Sequence, residues 1–171
     1  MLAQLDTLLD PTDPPLTLMA NFASLLYWSL DAINWVGFYL VDDAVLRLGP
    51  FHGKPACTAI ALGVGVCGTA AAERRVLNVP DVHSFPGHIA CDAASRSELV
   101  FPLIVGDTRA GAQRGQEAQA ADGAWRTGEL IGVLDVDSPV ANRFDPETQE
   151  LLACAVSLLR SRVEGRALFP A

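Results

Sequence analysis

The groups in this chain with the reactivity for chemistry are its cysteines and a set of acidic residues. Cys91 follows a turn at Pro86-Gly87 and sits between Ala90 and Asp92. Glu98 then opens an apolar run, Glu98-Leu-Val-Phe-Pro-Leu-Ile-Val105, that reads as a strand. A thiol on a loop, with a carboxyl on the rigid element beside it, suits redox or nucleophilic chemistry. Taken alone, a free cysteine is more often a small buried hydrophobe. Cys91 is not alone. Cys57 and Cys67 lie upstream, and Asp135 and Asp137 lie downstream at the end of a second strand. Cys67 falls near the start of an Ala-rich helix, where the dipole favours a thiolate. The spacing of Cys57, Cys67, Cys91 and Cys154 contains no C-x-x-C and fits no common zinc pattern, so no metal is expected. His83 and His88 share the loop with Cys91. They suit a Cys–His nucleophile pair or a metal site, but such histidines more often fix a loop by hydrogen bonds.

These groups need elements to hold them. Half of the 171 residues are apolar, enough for one well-packed domain. The formal charge is −8 and the lysines and arginines are scattered, which argues against nucleic acid and acidic lipid as partners. No run approaches a membrane span, and the N-terminus lacks the basic region of a secretory signal. A cytoplasmic location is expected, where cysteines stay free or cycle rather than form permanent disulfides.

Along the chain, Asp13-Pro14 reads as a cap for a helix carrying Leu16, Met19, Phe22, Ala23, Leu26, Tyr27 and Leu30 on one face. Asn34 to Val41 and Ala44 to Leu48 read as a hairpin turning at Asp42-Asp43. Trp35, Gly37 and Tyr39 share one face of its first strand, and the glycine leaves an open patch or marks a close backbone approach. Gly63 to Arg74 reads as a loop entering a short helix, without the lysine or spacing of a phosphate-binding loop. Val76 to Val79 is a short strand, and Pro102 places an edge or bulge in the strand that begins at Glu98. Residues 107–128 read as a hairpin insertion, dispensable for chemistry. In the strand from Glu129 to Ser138, Asp135 and Asp137 share the face of Ile131 and Val133, so the fold should bury them at least partly. Asp145-Pro146 caps a last helix with the stripe Leu151, Leu152, Ala155, Val156, Leu159 and Val163, and Cys154 reads as structural at its margin. The order implies an α+β sandwich with a largely antiparallel sheet.

Six strings together resemble one family. They are Asn34-Trp-Val-Gly-Phe-Tyr39, Leu48-Gly-Pro-Phe51 with Ala56-Cys57, Gly63-Val-Gly-Val-Cys-Gly68, Asp81 to Asp92, Ser95 to Pro102, and Gly132-Val-Leu-Asp-Val-Asp-Ser138. They look like the free methionine-(R)-sulfoxide reductases, which are built on a GAF domain. The resemblance covers the chain except the insertion. It implies a single GAF-like domain over 1–171, with Cys91 as nucleophile, Cys57 as resolving cysteine and Cys67 as alternative resolver or relay. Trp35 and Tyr39 would wall the substrate pocket. Glu98, Asp135 and Asp137 would hold the substrate ammonium and supply a proton. The resemblance implies no bound cofactor; thioredoxin, itself reduced by NADPH through thioredoxin reductase, would recycle the enzyme. A homodimer is compatible with this reading. The alternative is a sensor of the same fold that binds a small molecule and catalyses nothing.

Overall fold

The computed structural model describes residues 1–87, 92–106 and 128–168. Cys91, His88 and the expected insertion up to residue 127 lie outside the described residues. In chain order the elements are α1 (Leu2–Leu8), α2 (Pro15–Ser29), β1 (Trp35–Asp42), β2 (Val45–Gly53), β3 (Ala59–Ala61), α3 (Gly65–Glu73), β4 (Leu77–Val79), a 3-10 turn (Val82–Ser84), β5 (Ser97–Val105), β6 (Glu129–Ser138) and α4 (Pro146–Val163). The strands form one sheet in the order β3-β2-β1-β6-β5-β4, and every pairing is antiparallel. This is the α+β class expected.

Two-residue alternation sorts the strands onto two faces. Val36, Phe38 and Leu40 of β1, with Leu134 and Val136 of β6 and Leu99, Phe101 and Leu103 of β5, are buried with α1, α2 and α4 in the larger core. Each large side chain removed from water there contributes roughly 1.5–3 kcal/mol. Trp35, Tyr39, Val133 and Val100 face the other way and pack with α3 in a second core. The sheet is therefore cemented by helices on one face and left to build a site on the other.

Local chemistry explains the ends. The Asp145 side chain accepts a hydrogen bond from the Thr148 amide at 2.8 Å, Pro146 occupies the first turn, and Arg160 and Arg162 oppose the dipole at the far end of α4. At α2 the expected Asp13 cap is not formed. The cap position is Pro14, whose extended backbone leads into Pro15 with no side-chain hydrogen bond. The helix α1 carries no clear apolar period and was not legible; it forms because Leu5 and Leu9 bury against the larger core. Cys154 corrects a second expectation. It is an exposed free thiol on α4, outside the packed stripe. Pro102 stands on a part of β5 that β4 does not reach, and the β5–β6 register shifts at Leu103/Ile104. A missing N–H is tolerated in such a place. Where α3 packs on the sheet, a Cβ at Gly68 would collide with the Ala61 carbonyl, so only glycine permits that approach.

Candidate functional site

Strand register assembles the acidic groups. Glu98 of β5 pairs with Asp137 of β6, and Asp137 pairs with Trp35 of β1. One step along, Val100, Asp135 and Gly37 form the neighbouring row. All these side chains point away from the helical layer. Helix α3 crosses the same face and adds Cys67 from its first turn. The result is a cavity with an acidic floor of Glu98, Asp135 and Asp137, an aromatic wall of Trp35 and Tyr39, and a rim that includes Pro55, Ala56 and Asp92.

The floor is poorly solvated. Glu98 and Asp135 are each 6% exposed, Asp137 is half-buried, and no lysine or arginine lines the cavity among the described residues. The Cys67 thiol is buried and donates to Glu98 Oε1 at 3.7 Å. Asp135 Oδ1 has no hydrogen-bond partner among the described residues. Loss of hydration pushes the Asp135 carboxyl up to about 7. The same desolvation, with Asp135 and Asp137 as like charges beside it, drives Glu98 well above the ordinary carboxylate range. Asp137 rises for the same reasons, chiefly desolvation and then Asp135. The Cys67 thiol also rises, through burial first and then the charges of Asp135 and Glu98. This corrects the expectation that the helix dipole makes Cys67 a thiolate: desolvation beside acids outweighs half a unit charge at a short helix. The floor therefore holds protons at neutral pH.

Trp35 organises the wall. It is buried and stacked between Tyr39, with centroids 5.8 Å apart, and Phe51 at 5.5 Å. Its ring lies over Gly37, where a Cβ would strike the indole and Phe51. The open patch allowed for at Gly37 is thus filled by Trp35 itself, and the glycine marks the close approach. The indole Nε1 donates to the Lys54 carbonyl at 3.1 Å, which anchors the loop that carries Cys57. Cys57 is half-buried and disulfide-bonded, whereas Cys67 and Cys154 are free thiols.

Several residues around the site were not singled out from the sequence. Asn34 donates to Ser95 Oγ at 2.9 Å and to Asp92 Oδ2 at 3.3 Å. The Lys54 ammonium lies 3.3 Å from Asp92 Oδ2. The Ala94 amide, then Lys54 and Asn34, hold the Asp92 carboxyl below its ordinary range. The Cys57 loop and the residue following Cys91 are tied together in this way. The available signal was adjacency: Asn34 precedes Trp35, and Asp92 follows Cys91. His83 is exposed, has Nδ1 2.8 Å from Asp81 Oδ1, and does not line the cavity. It fixes its own loop.

With this geometry in hand, comparison with known proteins is decisive. The GAF domain family matches residues 16–162. The free methionine-R-sulfoxide reductase of Escherichia coli is 46% identical over 144 residues, 84% of this chain and 74% of that protein. The chain belongs to the free methionine-R-sulfoxide reductase family of GAF domain proteins. Two solved members of that family superpose closely. The fRMsr of Staphylococcus aureus in complex with substrate has a TM-score of 0.78 and 40% identity, with 94% of this chain and 92% of that chain covered. The free methionine-R-sulfoxide reductase of Neisseria meningitidis in complex with its substrate has a TM-score of 0.73 and 39% identity, covering 94% and 84%. In this family member, no helix among the described residues is long and apolar enough to cross a membrane.

Proposed function

We propose that this protein reduces free L-methionine (R)-sulfoxide to L-methionine, with Cys91 as the nucleophile. The observation that carries the proposal is the acidic trio of buried Glu98 and Asp135 with half-buried Asp137, and no basic side chain in the cavity lining among the described residues. An uncompensated acidic floor under an aromatic wall suits an amino acid with an apolar side chain. The substrate ammonium supplies the missing cation, and Trp35 and Tyr39 pack against the sulfur and methyl end. The close kinship to free methionine-R-sulfoxide reductases supports this reaction and the (R) epimer.

In the proposed cycle the Cys91 thiolate attacks the sulfoxide sulfur. A carboxylic acid of the floor, kept neutral by desolvation, protonates the sulfoxide oxygen, and this is how the raised acids serve the reaction. Oxygen ends on Cys91 as a sulfenic acid and methionine departs. Cys57 then condenses with Cys91, releasing water and forming a disulfide. Two facts support Cys57 in this role: it is disulfide-bonded, and its half-buried loop is flanked by exposed Pro55 and Thr58. A protein reductant such as thioredoxin reaches that loop far more readily than buried Cys67, which is left as the alternative resolver or relay. NADPH supplies the electrons through thioredoxin reductase, and the protein needs no bound cofactor.

The test is NADPH consumption with thioredoxin and thioredoxin reductase, offering the free (R) epimer, the free (S) epimer and a peptide-bound sulfoxide in turn. Turnover is expected for the free (R) form alone. Equal turnover of the peptide would overturn recognition of the free ammonium. Binding without any NADPH consumption would make the protein a sensor.

The insertion is proposed to be dispensable. Its attachment points, Gly106 and Gly128, lie at the end of β5 and β6 remote from Glu98 and Asp137. Val105 lies seven positions along the strand from Glu98, roughly 23 Å at the usual rise. Deleting residues 109–123 should leave kcat/KM within a few-fold. Complete loss of activity with an unchanged circular dichroism spectrum would make it part of the site.

A further inference from the structure

We propose that Cys67, Glu98 and Asp135 form a binding site for a thiophilic divalent cation of the zinc and cadmium class. Three separate elements, α3, β5 and β6, deliver these side chains. One sulfur and two carboxylate oxygens, all buried, lie within 4.8 Å of one another, and the Cys67 Sγ to Glu98 Oε1 separation is 3.7 Å. A tetrahedral zinc ion with one sulfur and two oxygen ligands needs them about 3.3–3.7 Å apart, from bond lengths of about 2.3 and 2.0–2.2 Å. Closing this set around an ion therefore shortens the widest separation by about 1.5 Å at most. These three residues line the cavity, from which a water could supply a fourth ligand.

A second observation points to a cationic ligand. Asp135 is 6% exposed and its Oδ1 has no partner among the described residues, although it lines the cavity. A buried carboxyl oxygen left unpaired is costly, and a bound cation would satisfy it. The donor set chooses the class of ion. Magnesium and calcium take six or more oxygens, whereas a thiolate with two carboxylates suits a borderline or soft ion. The site also differs from a zinc site built on the redox cysteines, because Cys57 is disulfide-bonded and takes no part.

The ion would stand where the proposed function seats the substrate ammonium, so occupation would inhibit the enzyme reversibly. That consequence rests on the reductase reading; the site itself does not. It makes the oxidised enzyme, whose Cys57 is already consumed, still sensitive to metal through Cys67.

The experiment titrates the oxidised protein with cadmium chloride and follows the ultraviolet thiolate-to-cadmium charge-transfer band. One equivalent is expected to saturate the band in the parent protein and in Cys154→Ser. The band should be absent in Cys67→Ser, and cadmium affinity should fall on the order of tenfold or more in Asp135→Asn, as for loss of a ligand or its support. A band that survives Cys67→Ser, whichever thiol supplies it, overturns the site. So does the absence of a band in the parent protein. Circular dichroism of each variant separates loss of the site from loss of the fold, and Asp135→Asn keeps the thiol as a second check. Adding free methionine (R)-sulfoxide should weaken cadmium binding. A cadmium band unaffected by the sulfoxide supports the metal site and overturns the placing of the ammonium.

Discussion

Replacing Cys91 by serine is expected to abolish reduction of free methionine (R)-sulfoxide, whereas Cys57→Ser should release about one equivalent of methionine and then stop. The first variant removes the only atom proposed to accept the sulfoxide oxygen, and loss of a nucleophile costs on the order of a thousandfold or more. The second leaves attack intact and removes the thiol that resolves the sulfenic acid, so the enzyme is trapped after one turnover. Rapid-quench measurement of methionine, with a dimedone-type trap for the sulfenic acid, reads both outcomes. The geometry argues for this order of cysteines. Cys57 is half-buried on a loop held by Trp35, while Cys67 is buried on α3 and engaged with Glu98. If Cys67→Ser shows the single burst and Cys57→Ser cycles normally, the order is reversed.

The protein is expected to lose stability as pH rises from mild acid through neutrality. Glu98, Asp135 and Asp137 have raised folded-state pKa values, so between their unfolded and folded values the native state holds protons that the unfolded chain has released. Their contribution is fully present below the unfolded pKa and disappears as pH climbs through the folded one. For Asp135 that window runs from 3.8 to about 7. A pKa unit corresponds to about 1.4 kcal/mol, so this one group contributes on the order of 4 kcal/mol across it. On the acid side, Asp10, Asp81, Asp92 and Asp145 have lowered values, and their contributions vanish as pH falls through those values. The stability maximum should lie between the two sets, on the acid side of neutrality. Urea midpoints across this range test the slope, and Asp135→Asn should flatten it. A parent protein whose midpoint climbs from pH 5 to 8 would sink the idea that the floor is buried and protonated.

Much of this was readable from local order, because local order is what periodicity records. Trp35, Gly37 and Tyr39 share a face by alternation alone, and so do Asp135 and Asp137. Asp145 with Pro146 announced α4. What periodicity does not hold is pairing between distant strands. That Glu98 meets Asp137, and that Asp137 meets Trp35, depends on a register set by the whole sheet. The burial of Cys67 beside those acids depends on how α3 crosses the sheet, and without that contact the helix dipole was the stronger cue. The Lys54–Asp92 pair joins residues 38 apart in sequence, so no short motif could reveal it. Two local readings also failed. Asp13 had the chemistry of a cap, yet Pro14 took the position, and Cys154 lay near an apolar stripe, yet the turn of the helix carries it to the surface.

The odd and even positions of β6 also constrain how this protein can change through evolution. Leu134 and Val136 hold the helical core, while Asp135 and Asp137 furnish the site. Deleting one residue upstream within the strand would exchange these sets, wrecking the core and the acidic floor together. Single substitutions can alter either face alone, but changes in length inside the strand cannot. Between Gly106 and Gly128, by contrast, length is uncoupled from that register once Val105 meets Glu129. Lineages should therefore record their divergence as insertions and deletions there, and as point changes within β6.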